Sequence, residues 1–148
     1  MRSPLAAVRR SLRTRSAAAT EAAGRRLARH LEPGDVLLLE GELGAGKTTL
    51  VRGIAAGLGI EAAVMSPTYQ LVRLYRGPLT LAHADLYRLD SGQSLDELGF
   101  DDELEDTILV VEWGDRLQRP GAARIRIDDE GDGARLLRLV EAPPAWSW

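Results

Sequence analysis

An apolar run, Val36-Leu-Leu-Leu39, passes through Glu40 into Gly41-Glu-Leu-Gly-Ala-Gly-Lys-Thr48, and no other feature constrains the chain as much as this junction. Glu32-Pro-Gly-Asp35 precedes the run and glycines follow it, so residues 36–40 read as a buried strand. Helical propensity returns at Lys47 and continues to Leu58, where Gly57 and Gly59 close the helix. Strand, glycine-rich turn and helix in that order make an anion cradle. The backbone N–H groups of residues 42–48 turn inward, Gly41, Gly44 and Gly46 permit the required backbone angles, and the amino end of the helix adds positive potential.

The basic residues sharpen this reading. Of 19, Lys47 is the single lysine and the rest are arginine. In a chain that uses arginine everywhere else, the one lysine occupies the motif position where a slim stem and a compact charge reach the outer phosphates. The planar guanidinium fork is too bulky to serve there. Thr48 offers a hydroxyl to Mg²⁺, which bridges phosphate oxygens. The cradle set is therefore Gly41, Glu42, Leu43, Gly44, Ala45, Gly46, Lys47, Thr48 and Thr49, and the chemistry it indicates is binding of a nucleoside triphosphate.

Composition excludes several other classes. At 148 residues the chain suits one domain, and a chain of this size buries about 68–70% of its unfolded surface. The absence of cysteine rules out disulfide frameworks and thiolate metal sites. Apolar runs stop at about four residues, far short of the roughly 18 that suggest a membrane span, so a soluble, cytoplasmic protein is expected. Net charge is −3 but unevenly spread: residues 1–30 hold eight arginines against Glu21 (+7), whereas residues 31–148 hold 11 basic and 21 acidic residues (−10). An acidic body argues against direct, salt-driven binding to a nucleic-acid backbone.

Along the chain, residues 1–16 read as a flexible, solvated arginine-rich arm, although their composition also matches a transit peptide. A single domain is expected over residues 17–142, followed by a frayed tail at 143–148. An amphipathic helix is predicted over 17–31 with Ala22, Leu27 and Leu31 inward. Strands are predicted over 69–75 and 79–84, joined by Arg76-Gly77-Pro78, and over 107–111, 124–127 and 136–140. Residues 90–106 carry eight acids and no base and read as a solvated short-helix region.

The metal needs a carboxylate at the end of a neighbouring apolar strand. Glu112, after Ile108-Leu-Val-Val111, fits, and Asp85, which ends another strand, is the second choice for the metal or for the attacking water. Ser66-Pro67-Thr68-Tyr69 follows the first helix where a loop can fold over the nucleotide, and Thr68 can complete the metal shell. His83 shares a strand face with Asp85 and reads as a packed or hydrogen-bonded histidine, and His30 as a helix-dipole partner. Lys47, Asp85, Glu112 and Thr68 are thus the catalytic candidates, and Thr48 and Glu112 the metal candidates. Asp96-Glu-Leu-Gly99 matches a small-GTPase motif, but no apolar strand precedes it, and the guanine-reading motif needs a second lysine. A small-metabolite kinase needs a lid and a second pocket, for which the chain leaves little room. A protein-binding module gated by nucleotide, with incidental hydrolysis, is the other alternative.

Gly41–Thr49 (GELGAGKTT), Ser66–Tyr69 (SPTY), His83–Arg88 (HADLYR) and Glu112-Trp113 together resemble the TsaE family over about residues 20–115. The resemblance implies an α/β, P-loop NTPase-like three-layer fold with a mixed parallel and antiparallel sheet flanked by helices. It further implies ATP and Mg²⁺ as cofactors and slow hydrolysis in a complex with the TsaD and TsaB proteins. In that family TsaD transfers the threonylcarbamoyl group to tRNA adenosine and the ATPase resets the complex, so tRNA is an indirect partner. Carried over by position, Lys47 and Thr48 hold phosphate and metal, Glu112 is the metal-side acid, Asp85 is a metal or water-positioning residue, Thr68 belongs to a nucleotide-sensing loop, and Trp113 lies beside the site. The family's amino-terminal segment lies near the adenine, where this chain offers Thr20 and Glu21. Arg135, before the last strand, matches an arginine common in the family.

Overall fold

The computed structural model describes residues 10–42, 46–61, 72–85, 106–112 and 121–148. Within them are β1 (Ser11–Thr14), α1 (Ala17–Leu27) with a 3₁₀ turn at Ala28–His30, β2 (Val36–Glu40), α2 (Lys47–Gly57), β3 (Val72–Tyr75), β4 (Thr80–Asp85), β5 (Thr107–Glu112), β6 (Ala123–Gly131) and β7 (Ala134–Glu141). The strands form one sheet in the order β1-β7-β6-β2-β5-β4-β3. Its centre, β6-β2-β5-β4, is parallel. The outer pairs β1/β7, β6/β7 and β3/β4 are antiparallel. The mixed sheet expected from the sequence is the one observed, and β3/β4 is the expected hairpin. The predicted stretch at 69–71 lies outside the described residues.

The central strands read as continuous apolar runs because both of their faces are covered. One face joins Leu37, Leu39, Ile108, Val110 and Ile125 to α1 and α2 through Leu27, Leu50 and Ile54, all fully buried. The other carries Leu38, Ala84, Leu109 and Val111, also fully buried. Among the described residues both helices lie on the first face. They approach closely because a Cβ on Gly53 would fall on the backbone carbonyl of Glu21, and one on Gly24 on that of Leu50. The close approach fixes how the amino end of α2 is aimed.

α1 starts where Ser16 accepts a hydrogen bond from the Ala19 N–H at 3.0 Å, an N-cap that satisfies one orphan donor. It ends earlier than predicted, at Leu27, and tightens into the 3₁₀ turn ahead of the Glu32-Pro33 pair, which disfavours helix. Ala23, rather than Ala22, is fully buried on its inner face.

Both chain ends differ from expectation. Residues 11–14, assigned to the flexible arm, form β1 and pair with β7 at the edge of the sheet. There the Arg13 guanidinium binds Glu130 at 2.8 Å, and the bond and charge of Glu130 hold it more firmly protonated than usual. Residues 143–148, predicted to fray, are anchored: Trp146 and Trp148 are buried, and the Trp148 indole donates to the Arg10 carbonyl at 3.1 Å. Arg10 donates in turn to the carbonyls of Pro143 and Ala142. His30 stacks on Trp146 with ring centres 6.0 Å apart, so it holds the tail. Large aromatic area outweighs the ordering cost of a terminus when a groove can take it. The strands predicted over 124–127 and 136–140 are longer, because Asp132 (φ 54°) and Gly133 (φ 81°) form a two-residue hairpin turn with both residues left-handed.

Candidate functional site

The carboxyl ends of β2, β4 and β5 lie side by side. Glu112 is in register with Leu39 of β2 on one side and Asp85 of β4 on the other. Ligands of open α/β sheets bind at this edge, and the chain leaves β2 there to enter the glycine-rich turn. Gly41 (φ 151°) and Gly46 (φ 105°) adopt backbone angles that side chains resist, and Gly46 caps the amino end of α2. The first two residues of α2 are thereby set at the strand ends.

Lys47, only 4% exposed, donates through Nζ to the carbonyls of Gly41 at 2.5 Å and Glu42 at 2.9 Å. A buried ammonium requires such partners, and here its own turn supplies them. Thr48 donates its hydroxyl to Glu112, at 3.0 Å to Oε2 and 3.3 Å to Oε1. Glu112 is likewise 4% exposed, and its Oε2 lies 2.5 Å from Nε2 of the fully buried His83. The structure thus unites Lys47, Thr48 and Glu112 with Asp85 adjacent in register, and it joins His83 to them as the hydrogen-bonded histidine of the sequence reading. Leu43, Gly44, Ala45, Thr68 and Trp113 lie outside the described residues, as does nearly all of the acidic stretch 90–106.

The donor set suits a hard cation. Thr48 has one proton to give and gives it to Glu112, which leaves its oxygen lone pairs available. No group of three or more His, Cys, Asp or Glu side chains ready to hold a metal occurs among the described residues. Mg²⁺ does not need one, since it keeps several waters and takes one or two carboxylates together with ligand phosphates.

A cavity of about 200 Å³ opens beside the amino end of α2, lined by Ser16, Ala17, Thr20, Gly46, Thr49, Gly133 and Arg135. It joins the β1–α1 junction and the β6–β7 turn to the cradle, a convergence of distant segments with no local pattern to announce it. Of the two polar candidates expected near the nucleotide, Thr20 is the one that reaches the lining. The Thr20 hydroxyl is committed to Thr14 at 2.6 Å and only 2% of the residue is exposed, and Glu21 is not part of the lining. Ser16, Thr49 and Arg135 are the other polar residues that the fold places there. The Arg135 chain passes so close to Gly46 that a Cβ on that glycine would lie 3.4 Å from Nε, while its guanidinium is paired with Asp129 at 3.1 Å.

The family model described as threonylcarbamoyl adenosine biosynthesis protein TsaE matches residues 14–137. The chain belongs to the TsaE family. The protein of that name from Streptomyces coelicolor is 50% identical over 142 residues, covering 84% of this chain and 91% of the relative. The one from Mycobacterium tuberculosis is 38% identical over 138 residues, covering 84% and 79%. Both are named tRNA threonylcarbamoyladenosine biosynthesis protein TsaE. The crystal structure of YdiB from Bacillus subtilis superposes with a TM-score of 0.70 at 35% identity, covering 86% of this chain and 81% of that one. The fold is accordingly the P-loop NTPase-like α/β architecture that the family resemblance implied. The TsaE match spans the cradle, the strand ends and Arg135, and so the whole constellation just described. No described helix of this TsaE chain is long and apolar enough to cross a membrane.

Proposed function

We propose that this chain is a Mg²⁺-dependent ATPase that supports threonylcarbamoyladenosine modification of tRNA in a complex with TsaD and TsaB. The observation that carries the reading is the Thr48 to Glu112 hydrogen bond, which couples the first turn of the phosphate-binding helix to a carboxylate at the adjacent strand end. An enzyme that moves a phosphoryl group to water works almost entirely by positioning and charge stabilisation, and the residues divide along those lines. The cradle's N–H groups hold the phosphate chain. Lys47, released from the carbonyls of Gly41 and Glu42, neutralises charge on the outer phosphates. Thr48 and Glu112 would hold Mg²⁺, which would supply charge to polarise the γ-phosphate. Asp85 orients the attacking water or would help to hold the metal, and Thr68 senses the outer phosphate. The nucleoside enters the cavity between Ser16 and Arg135.

The pathway named for the relatives supports a cytoplasmic location, and the −10 charge of residues 31–148 supports an indirect relation to tRNA. The kinase and nucleotide-gated alternatives are separated from the ATPase by following a γ-labelled phosphate in the presence of TsaD and TsaB. Free labelled phosphate supports the proposal. Label on a metabolite supports a kinase, and tight binding without turnover supports a gated module.

A further inference from the structure

The two oxygens of Glu112 are not equivalent. Oε2 accepts from Thr48 at 3.0 Å and lies 2.5 Å from His83 Nε2, whereas among the described residues Oε1 has only the 3.3 Å contact with Thr48. An ionised carboxylate offers about four lone-pair sites, so Oε2 is fully used and Oε1 keeps capacity for a further partner. Because a carboxylate in that form only accepts, the proton in the contact belongs to Nε2 of His83. The other ring nitrogen, Nδ1, is buried and has no hydrogen-bond partner among the described residues. A proton there would be a stranded donor, which costs more than a bare lone pair, and this selects the tautomer with its hydrogen at Nε2. On the sheet His83 is in register with Val110, two residues before Glu112, so the contact is diagonal and within reach of long side chains.

We propose that His83 is a positioning residue that locks Oε2 of Glu112, through its Nε2 hydrogen, so that Oε1 faces the cation site between Thr48 and Asp85. The inference rests on the reading of Glu112 as the metal-side acid. His83 itself touches neither nucleotide nor metal. Partners of this kind, one step behind a ligand, typically change metal affinity by about 10–100-fold when lost.

Two substitutions separate position from bulk. His83→Gln sets an amide N–H near the Nε2 position, while His83→Asn sets one near Nδ1, out of reach of Glu112. The readouts are Mn²⁺ affinity by electron paramagnetic resonance in the presence of ADP, ADP affinity in EDTA, and thermal melting. Retention of Mn²⁺ affinity within about threefold in His83→Gln, a loss of about tenfold or more in His83→Asn, and unchanged metal-free ADP affinity in both are expected. Equal losses in the two variants, unchanged Mn²⁺ affinity in His83→Asn, or metal-free ADP affinity falling in parallel would overturn the role. Wild-type protein that binds ADP but no Mn²⁺ would instead refute the metal reading beneath it. If neither variant folds, ¹⁵N spectra of the wild-type ring decide: protonation at Nε2 supports the proposal and a proton at Nδ1 alone contradicts it.

Discussion

Thr48 donates its hydroxyl proton to Glu112 across 3.0 Å, joining the first turn of α2 to the end of β5. The two residues are 64 positions apart, and the bond is possible only because β5 is the parallel neighbour of β2, the strand that delivers the cradle. This pair ties the phosphate-binding turn to the carboxylate edge of the sheet.

Removing the carboxylate should therefore separate two properties. Glu112→Ala is expected to retain measurable nucleotide affinity and lose Mg²⁺-dependent hydrolysis by about 100-fold or more, since both metal charge and Thr48's partner go. Calorimetry with ADP in EDTA and phosphate-release assays with Mg²⁺ check this. Unchanged hydrolysis would move the metal role to Asp85.

Lys47 makes a sharper demand. Lys47→Ala removes the charge on the outer phosphates, and Lys47→Arg keeps charge but exchanges a compact ammonium for a wide fork in a pocket only 4% exposed. Both variants should lose ATP binding by about tenfold or more, corresponding to roughly 1.4 kcal/mol. Wild-type affinity in Lys47→Arg would remove the reason given for the chain's single lysine.

The helix pair sets the stability of the site's support. Gly53→Ala would push a methyl group into the Glu21 carbonyl, so α1 and α2 must part, at a cost of about 1–3 kcal/mol. Thermal denaturation should show a drop of roughly 2–4 °C per kcal/mol. An unchanged melting temperature would contradict the close helix contact.

The carboxy-terminal tail is part of the core. Trp148→Ala is expected to cost about 3–5 kcal/mol, because it deletes a buried aromatic and the bond to the Arg10 carbonyl. Urea unfolding measures the loss, and a shift within experimental noise would return residues 143–148 to the status of a frayed tail.

The sequence alone revealed what depends on short, ordered patterns. The run from Val36 through the glycines to Thr48 announced strand, turn and helix, and the apolar stretch before Glu112 announced its strand end. Features that depend on distant segments stayed hidden. Arg135 and Ser16 reach the same cavity only after β7 pairs with β1 and β6, and neither residue's neighbours hint at the other. The buried tail was illegible for a related reason: Trp146 and Trp148 read as part of a frayed end until His30 and Arg10, more than a hundred residues earlier, are brought against them. The bond between the Thr20 and Thr14 hydroxyls was equally illegible, because a lone threonine in a helix gives no sign of a partner six positions earlier.

The central claim, that the cradle at Lys47 and Thr48 with Glu112 drives ATP hydrolysis for tRNA modification, is tested most directly by one complementation measurement. Cells depleted of this protein are supplied with the wild-type chain or with Glu112→Ala, and threonylcarbamoyladenosine in their tRNA is quantified by mass spectrometry. Restoration by the wild type and failure of an equally abundant Glu112→Ala variant is the predicted result. Full restoration by that variant, or no loss of the modified nucleoside on depletion, would contradict the account.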